Sequence, residues 1–538
     1  MVWCAPYAVI QGAPVTRSPY LLLAAAALAG GLSALGFAPL DLWPVTLLAL
    51  ALLLDLVVRT GSLRRAFGIG WLFGLGQFAV GLCWIPTAFT YQANMPAALG
   101  WIAEVLLSAY LAVYPGLACA LAWRLRRTDR IRFVFVAAAT WMLAEWLRGV
   151  LFTGFPWNPL GAIWLPVPIV SGQASFFGAY GLSGLAVLVA GGLWLAIKRV
   201  GAVKGVLVVL VAGVALMWAI PTRDGRNSAN PAGIPIRVVQ PNIGQAEKYD
   251  EDERNARLYA SLSGKPGPIP RILLWPEGAT LKFLEIQPKA RAAVAALLGP
   301  QDLLLLGGES VIPGKTPSDD IYHNSVFALD HTGAILWRYD KEHLVPFGEY
   351  LPARTILSRL GLSRLVPGDT DFMRGPGARS FPLPVLLSGG VTVTVGVQIC
   401  YEIVFPGRVI DEAHRPSFLF NPSNDAWFGA WGPPQHLAQA RLRAIEEGVP
   451  VVRATPNGVS ALVGPRGELI ATVARQQAGV IDGVLPAPLA PTWFAKLGLW
   501  TSGLFGLIVG GIGMAGGRRN DDRRLRPDQN LAENMTPQ

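Results

Sequence analysis

Apolar residues fall along this chain in two different rhythms. Up to residue 220 they form seven long blocks, at 20–38, 42–58, 66–85, 97–123, 133–147, 175–197 and 202–220. Each is long enough, or nearly so, for a helix to cross a bilayer, whose hydrocarbon core takes about 20 residues at 1.5 Å rise. An eighth block covers 493–515. Between 233 and 486 the apolar runs shorten, to 236–240, 272–275, 303–307, 325–329, 391–399, 417–420, 449–454, 460–463 and 479–484. Helix-like polar stretches separate them at 252–261, 289–298 and 435–447, while the Gly- and Pro-rich segments 264–270 and 313–318 read as loops. Short buried strands alternating with helices predict an α/β unit around a largely buried mixed sheet.

Charge then orients the long blocks. Arg17, the Arg59/Arg64/Arg65 group, the cluster at 124–132, Lys198/Arg199/Lys204 and the arginines of 518–526 lie on alternate connections. The connections between those, 39–44, 86–96 and 149–168, have almost no Lys or Arg. The positive-inside bias therefore puts both termini in the cytoplasm and the α/β unit on the outer face. The resulting division is a membrane part at 1–222 with seven helices, an extracytoplasmic unit at 223–491, an eighth helix at 492–517 and a polar, disordered tail at 518–538. Because further blocks follow the first one at once, it reads as an uncleaved helix rather than a signal peptide.

Composition supports lipid and argues against other partners. Charged residues make up 15% against 52% hydrophobic, whereas soluble domains carry about 25% charge. The net charge of +10 sits in short clusters, with no basic stripe interleaved with aromatics, so nucleic acid is not implied. Cys4, Cys83, Cys119 and Cys400 form no CxxC pair, and the five histidines lack ligand spacing. Neither a disulfide framework, a metal site nor a cofactor is expected. Glu104 lies inside the fourth block, where a carboxylate is costly. It reads either as bonded between helices or as facing a cavity. The loop 149–168, with Phe152, Phe155, Trp157 and Trp164, reads either as an interfacial anchor or as part of a lipid entrance.

Candidate chemistry gathers at three strand ends. The first is Leu274-Trp275-Pro276-Glu277, and the second is Tyr339-Asp340-Lys341 leading into His343-Leu344-Val345-Pro346-Phe347-Gly348-Glu349. The third is Ile399-Cys400-Tyr401-Glu402, closing the β-branched run 391–399. A lone buried cysteine is usually inert. A thiol joined by a carboxylate base and an ammonium that stabilises an oxyanion is a nucleophile. About 60 residues separate each pair, so spacing alone does not bring them together.

These motifs, in this order, resemble the Glu–Lys–Cys triad of the nitrilase superfamily. With seven apolar blocks before and one after, nearly the whole chain resembles the apolipoprotein N-acyltransferases. Further matching stretches are Phe155-Pro156-Trp157-Asn158, Gln240-Pro241-Asn242-Ile243 with Gln245 and Lys248, His323-Asn324-Ser325, and Ser423-Asn424-Asp425-Ala426-Trp427-Phe428. Tyr249 stands where the family often has Trp.

The resemblance implies an eight-helix protein of the bacterial inner membrane carrying a periplasmic αββα nitrilase-like sandwich. It also implies the reaction. Cys400 would take an acyl chain from a phospholipid, typically the sn-1 chain of phosphatidylethanolamine, as a thioester. The α-amine of a diacylglyceryl-modified apolipoprotein would then receive it. Glu277 would be the general base, and Lys341 and the Tyr401 N–H would hold the oxyanion. Glu349 and Glu402 would fix Lys341 or position the amine, or else form a structural ion pair. Tyr249, Trp427 and Trp157 would contact a lid, acyl chain or lipid path, or simply pack. Two rivals stand beside this reading: a membrane-tethered nitrilase-like amidase or lipid hydrolase, and a non-catalytic lipid-binding protein.

Overall fold

The computed structural model describes residues 19–91, 96–126, 129–199, 233–250, 252–316, 319–360, 364–365, 370–384 and 392–515. The expected seventh block at 202–220 and the expected tail at 518–538 lie outside the described residues. The preceding blocks form α1 (Pro19–Ser33), α2 (Trp43–Val58), α3 (Leu63–Gly81), α4 (Ala98–Leu111), α5 (Val113–Leu125), α6 (Arg130–Val150) and α7 (Ala174–Ile197). Their starts follow local chemistry. Ser62 caps α3 by accepting from the Arg65 N–H, and Asp129 caps α6 by accepting from the Ile131 N–H.

Three helical rods, Ala98–Leu125, Arg130–Thr153 and Ala174–Ile197, are long and apolar enough to cross a membrane. Tyr20–Gly36, Trp43–Val58 and Trp500–Met514 are shorter apolar helices. Large apolar side chains such as Trp101, Leu106 and Leu507 stand exposed on these helices, a surface suited to lipid rather than water. The Glu104 carboxylate is buried and accepts from the Ser108 hydroxyl at 3.0 Å, one turn along the same helix rather than across to another. The eighth block is not one helix. It divides into a five-residue helix (Trp493–Leu497) and a second one (Trp500–Met514) at Gly498, whose φ of +55° favours glycine.

The polar block folds as two six-stranded sheets face to face. One runs in the order β12-β1-β2-β3-β4-β5 and the other β11-β10-β9-β8-β7-β6. The strands are β1 (Pro235–Gln240), β2 (Ile272–Leu274), β3 (Leu303–Ile312), β4 (Ile321–Leu329), β5 (Ile335–Asp340), β6 (Ser380–Leu383), β7 (Val393–Val397), β8 (Phe418–Pro422), β9 (Val451–Ala454), β10 (Ser460–Val463), β11 (Leu469–Val473) and β12 (Gly479–Val484). Strands β1, β2 and β3 are parallel, as are β7, β8 and β9, while the outer strands join antiparallel. Alternation assigns each side chain to a layer. Ile272, Leu274, Leu303 and Leu305 meet Val395, Val397, Phe418 and Phe420 between the sheets. Leu273, Leu304 and Leu306 point outward to the helices Asp252–Ser263 and Pro288–Ala295.

The sequence pattern misses β5, β6 and β11, and all three are at or next to a sheet edge with exposed residues in their burial patterns. An edge strand needs no continuous apolar run, so the pattern that marks central strands is absent there.

The outer face of the second sheet is covered from two sources. One is the helix Gly432–Glu447, which contributes Leu437, Ala440 and Ala444. The other is the membrane-side part, through Phe78, Leu82, Trp84, Leu111 and Trp157, in the same apolar cluster. Gln435 ties them together. Its amide oxygen accepts from the Trp157 indole at 2.8 Å and the Trp84 indole at 3.2 Å, and its nitrogen donates to the Gly81 carbonyl at 3.1 Å. Buried Arg148 donates to the Phe155 and Trp157 carbonyls, both at 2.8 Å. The loop 149–168 thus turns back onto the α/β unit. Trp157 is 1% exposed, whereas Phe152 is 81% exposed and stands out beside Tyr110.

Replacing Trp157 with Ala is expected to lower stability by about 3–5 kcal/mol, the usual cost of emptying a buried aromatic site. Thermal unfolding in detergent measures this, and an unchanged midpoint would refute the seam as a structural element.

Candidate active site

The three strand-end motifs converge. Glu277 follows β2, Lys341 follows β5 and Cys400 follows β7, so each leaves the sandwich at the carboxyl end of its strand. Lys341 is 1% exposed and its ammonium lies 3.0 Å from Glu349 Oε1 and 3.7 Å from Glu277 Oε1. The amide nitrogen of Asn324, on β4, bridges the two carboxylates, donating to Glu277 Oε1 and Glu349 Oε1 at 2.7 Å each. The other Glu277 oxygen accepts from the Asn424 N–H at 2.7 Å. Glu277 is therefore held on both oxygens while keeping contact with the ammonium.

Close backbone approach makes this possible. A Cβ on Gly307 of β3 would stand 2.6 Å from the Glu277 Cα, so only glycine lets the 276–279 turn pass. The Ala279 N–H donates to the Gly307 carbonyl at 2.9 Å and fixes that turn.

Cys400 opens a 3-10 turn, Cys400–Val404, with φ of +51°. For a residue with a side chain this is a strained conformation, of the kind found where geometry serves a site. Glu402 holds the turn. One of its oxygens accepts from the Ile399 N–H at 2.7 Å. The other accepts from the Tyr339 hydroxyl at 2.9 Å, the Glu342 N–H at 2.8 Å and the His343 N–H at 3.1 Å. Glu402 therefore ties the end of β7 to the end of β5. Of the two supporting carboxylates, Glu349 pairs with the ammonium and Glu402 clasps backbone.

Electrostatics follow from burial. The Cys400 thiol is pushed well above the ordinary cysteine range, first by burial and next by the Glu277 charge, with Lys341 opposing. It is protonated at neutral pH. Burial works against the Lys341 charge, but Glu349 and Glu277 outweigh it and raise its pKa. Burial lifts Glu402 to about 7, with Lys341 and its backbone donors opposing. His343 is pushed down to about 4 by burial and by the Arg374 and Arg408 charges, so its imidazole is neutral.

A cavity of about 580 Å³ opens on the Glu277 side of the site, walled by Glu277, Gln245, Asn424, Lys248, Tyr259 and Trp275 among others, and neither Lys341 nor Cys400 lines it. Tyr249 is half-exposed, with the Lys248 ammonium 5.4 Å from its ring centre. Trp427 is partly buried and meets Tyr91 edge-on at 5.7 Å. Neither ring makes a hydrogen bond to Glu277, Lys341 or Cys400 among the described contacts. Tyr401 is buried, its hydroxyl donating to the Gly154 carbonyl at 3.2 Å, which links the nucleophile turn to the 149–168 loop.

Sequence reasoning passed over Asn324 and Asn424 as functional groups, although it singled out both stretches that contain them. It also passed over Asp425, His436 and Arg453, a buried charged cluster behind Cys400. Full burial of three ionisable groups drawn from three separate elements leaves no local pattern to read.

Family models match both parts of the chain. A family model for the apolipoprotein N-acyltransferase N-terminal domain matches residues 29–192, and one for carbon-nitrogen hydrolases matches 243–493. An apolipoprotein N-acyltransferase of Rhodopseudomonas palustris is 37% identical over 504 residues, covering 88% of this chain and 91% of the relative. The one of Brucella suis is 34% identical over 515 residues, covering 90% and 93%. Among solved structures, a carbon-nitrogen hydrolase of Helicobacter pylori is similar at 17% identity and a TM-score of 0.30, covering 46% of this chain and 88% of its own. Nit3 of Saccharomyces cerevisiae is similar at 19% identity and a TM-score of 0.32, covering 47% and 90%. With relatives matched along nine-tenths of their length, this chain belongs to the apolipoprotein N-acyltransferase family.

Proposed function

We propose that this chain moves an acyl chain from a phospholipid to the terminal α-amine of a diacylglyceryl-modified apolipoprotein, through a thioester on Cys400. The observation that carries the mechanism is the buried Glu277–Lys341–Glu349 cluster next to a strained, protonated cysteine. The relatives' shared name supports the substrate class.

Because the thiol is neutral at rest, its proton must leave as sulfur attacks. Glu277 takes that proton while sulfur bonds to the ester carbonyl carbon. The oxyanion so formed is held by the Lys341 ammonium and the Tyr401 N–H. Collapse breaks the ester C–O bond, and the leaving alkoxide recovers the proton from Glu277 as lysophospholipid. In the second half the amine attacks the thioester carbon and gives a proton to Glu277. The C–S bond breaks and sulfur leaves with that proton. Glu349 keeps Lys341 charged, and Asn324 keeps both carboxylates in place. A hydrolase would pass the same thioester to water, an outcome that the family membership disfavours.

The finer reading places eight helices in the bacterial inner membrane, with both termini cytoplasmic. It assigns 1–222 and 492–517 to the membrane, 223–491 to the periplasmic face and 518–538 to a cytoplasmic tail. The Lys/Arg asymmetry of the connections supports this orientation. Phosphatidylethanolamine is the proposed donor. Tyr249, Trp427 and Trp157 are proposed to border the lipid path, Trp157 from within the seam.

Incubated with phospholipid alone, the protein should gain one acyl mass and release an equal amount of lysophospholipid. Cys400→Ala should abolish this, and Glu277→Gln should block it. Lys341→Ala should slow it by about 10²–10³-fold, the usual worth of one oxyanion donor. Intact-mass spectrometry reads the adduct, and a diacylglyceryl-cysteine peptide should remove it as an amide. Acylation of that peptide by the Cys400→Ala variant would defeat the covalent mechanism.

Iodoacetamide tests the resting thiol. A raised pKa leaves Cys400 protonated at neutral pH, so its labelling should be slow at pH 7, rise steadily with pH and still be rising at the ordinary thiol value of 9.0. Peptide mapping across pH measures this, and a plateau reached below neutrality would contradict it.

Topology is tested by single cysteines at Lys265 and Arg523 in a Cys-less background. An impermeant thiol reagent on intact spheroplasts should label the first and spare the second. The reverse pattern would invert the orientation.

A further inference from the structure

Directly behind the nucleophile lies a buried cluster that the mechanism above does not use. His436, on the helix Gly432–Glu447, is wholly buried, and its Nε2 lies 3.0 Å from the Cys400 carbonyl oxygen. Its Nδ1 lies 3.0 Å from Asp425 Oδ1 and 3.0 Å from an Arg453 nitrogen. Arg453 in turn donates to both Asp425 oxygens at 2.7 Å, to the Ser423 hydroxyl at 2.9 Å and to the Asn421 side-chain oxygen. A carbonyl only accepts and a guanidinium only donates. His436 Nε2 therefore carries a proton and donates it to the Cys400 carbonyl, while Nδ1 faces both the donating Arg453 guanidinium and the accepting Asp425 carboxylate. Burial and the Arg453 charge pull the His436 pKa down, with Asp425 and the bond to the Cys400 carbonyl opposing.

The Cys400 carbonyl belongs to the peptide unit whose other end is the Tyr401 N–H. As one of the first N–H groups of a 3-10 turn, that N–H has no partner within the turn, and among the described residues none bonds it, which leaves it able to meet an oxyanion. Cys400 adopts φ of +51°, so the orientation of this peptide depends on what holds it. Two donors grip its oxygen: His436 Nε2 at 3.0 Å and the Asn421 amide at 3.4 Å. A hydrogen bond accepted by the carbonyl also polarises the N–H of the same unit.

We infer that His436 is a positioning residue for acyl transfer: by holding the Cys400 carbonyl, it aims the Tyr401 N–H at the oxyanion. The inference rests on the reading of Cys400 as the acyl-accepting nucleophile. It also joins the site to the membrane-side seam. The Trp157 ring packs 5.2 Å from the His436 ring, and the neighbouring Gln435 accepts from the Trp157 and Trp84 indoles. Two adjacent residues of one helix thus grip the membrane-side loop and the nucleophile turn.

The test compares two reactions of the same thiol in the full-length protein. Acylation by phosphatidylethanolamine passes through an oxyanion, whereas displacement on iodoacetamide, measured at pH 9, does not. His436→Met should slow single-turnover acylation by about 10–100-fold, up to the lower end of what deleting an oxyanion donor costs. It should leave the half-saturating lipid concentration unchanged and alkylation nearly so. His436→Gln, whose amide nitrogen can stand where Nε2 stands, should restore most of the acylation rate. Should the Met variant not fold, His436→Asn serves, since its amide stays polar but falls short of the carbonyl. Equal acylation in the Met or Asn variant and wild type would overturn the inference. So would a parallel fall in acylation and alkylation that Gln does not rescue, because that is loss of packing alone. A wild-type protein that gains no acyl mass would instead overturn the proposed function, and this inference with it.

Discussion

A single buried ammonium organises the catalytic half of this molecule. Taking the Lys341 charge out of water is costly, and the cost is offset only when opposite charges and further hydrogen bonds are already in place. Glu349 at 3.0 Å and Glu277 at 3.7 Å supply the charges, and Asn324 locks the two carboxylates together. Each of these groups comes from a different strand, strand end or loop. The cluster can form only if β2, β4 and β5 are in register and the loop after β5 has turned back, so the ion pairs and the sheet specify each other. Burial first, and the Glu277 charge next, keep the cysteine protonated against the pull of that ammonium. In the proposed reaction the resting site is a carboxylate beside a neutral thiol, which confines proton transfer to the moment of attack.

What could be read from the amino-acid sequence divides along physical lines. The central strands were legible because both their faces are covered, giving continuous apolar runs such as those around Leu274, Leu305, Val395 and Phe420. The strands β5, β6 and β11 were not, because exposed and partly exposed positions break the run. Glu277 and Cys400 could be singled out as residue types at the ends of legible strands, and Lys341 by its Tyr339-Asp340-Lys341 motif although the run of β5 itself was not marked. Their meeting could not be read from spacing, since it depends on how two sheets stack. Glu349 and Glu402 looked equivalent along the chain. Only the fold separates them, one paired with an ammonium and the other accepting four hydrogen bonds at the nucleophile turn. The loop at 149–168 carries four aromatics with no charge, which suits an interface or an interior equally well. Its partners decide for Trp157: Arg148, just before the loop, and Gln435, far along the chain.

The seam changes what the membrane part does for the enzyme. A sandwich of two sheets needs a covering layer on each outer face. Here one face receives the helices Asp252–Ser263 and Pro288–Ala295, and the other receives the helix Gly432–Glu447 together with membrane-side aromatics. Pulling the α/β unit away would expose part of the cluster containing Leu419, Val451, Ala461 and Val463. A flexible tether would only keep the catalytic unit nearby. Core packing fixes the height and tilt of Cys400 relative to the helices with the precision of a protein interior. For acyl chains that cannot leave the bilayer unaided, that fixed geometry is what would bring an ester to the thiol in the proposed reaction.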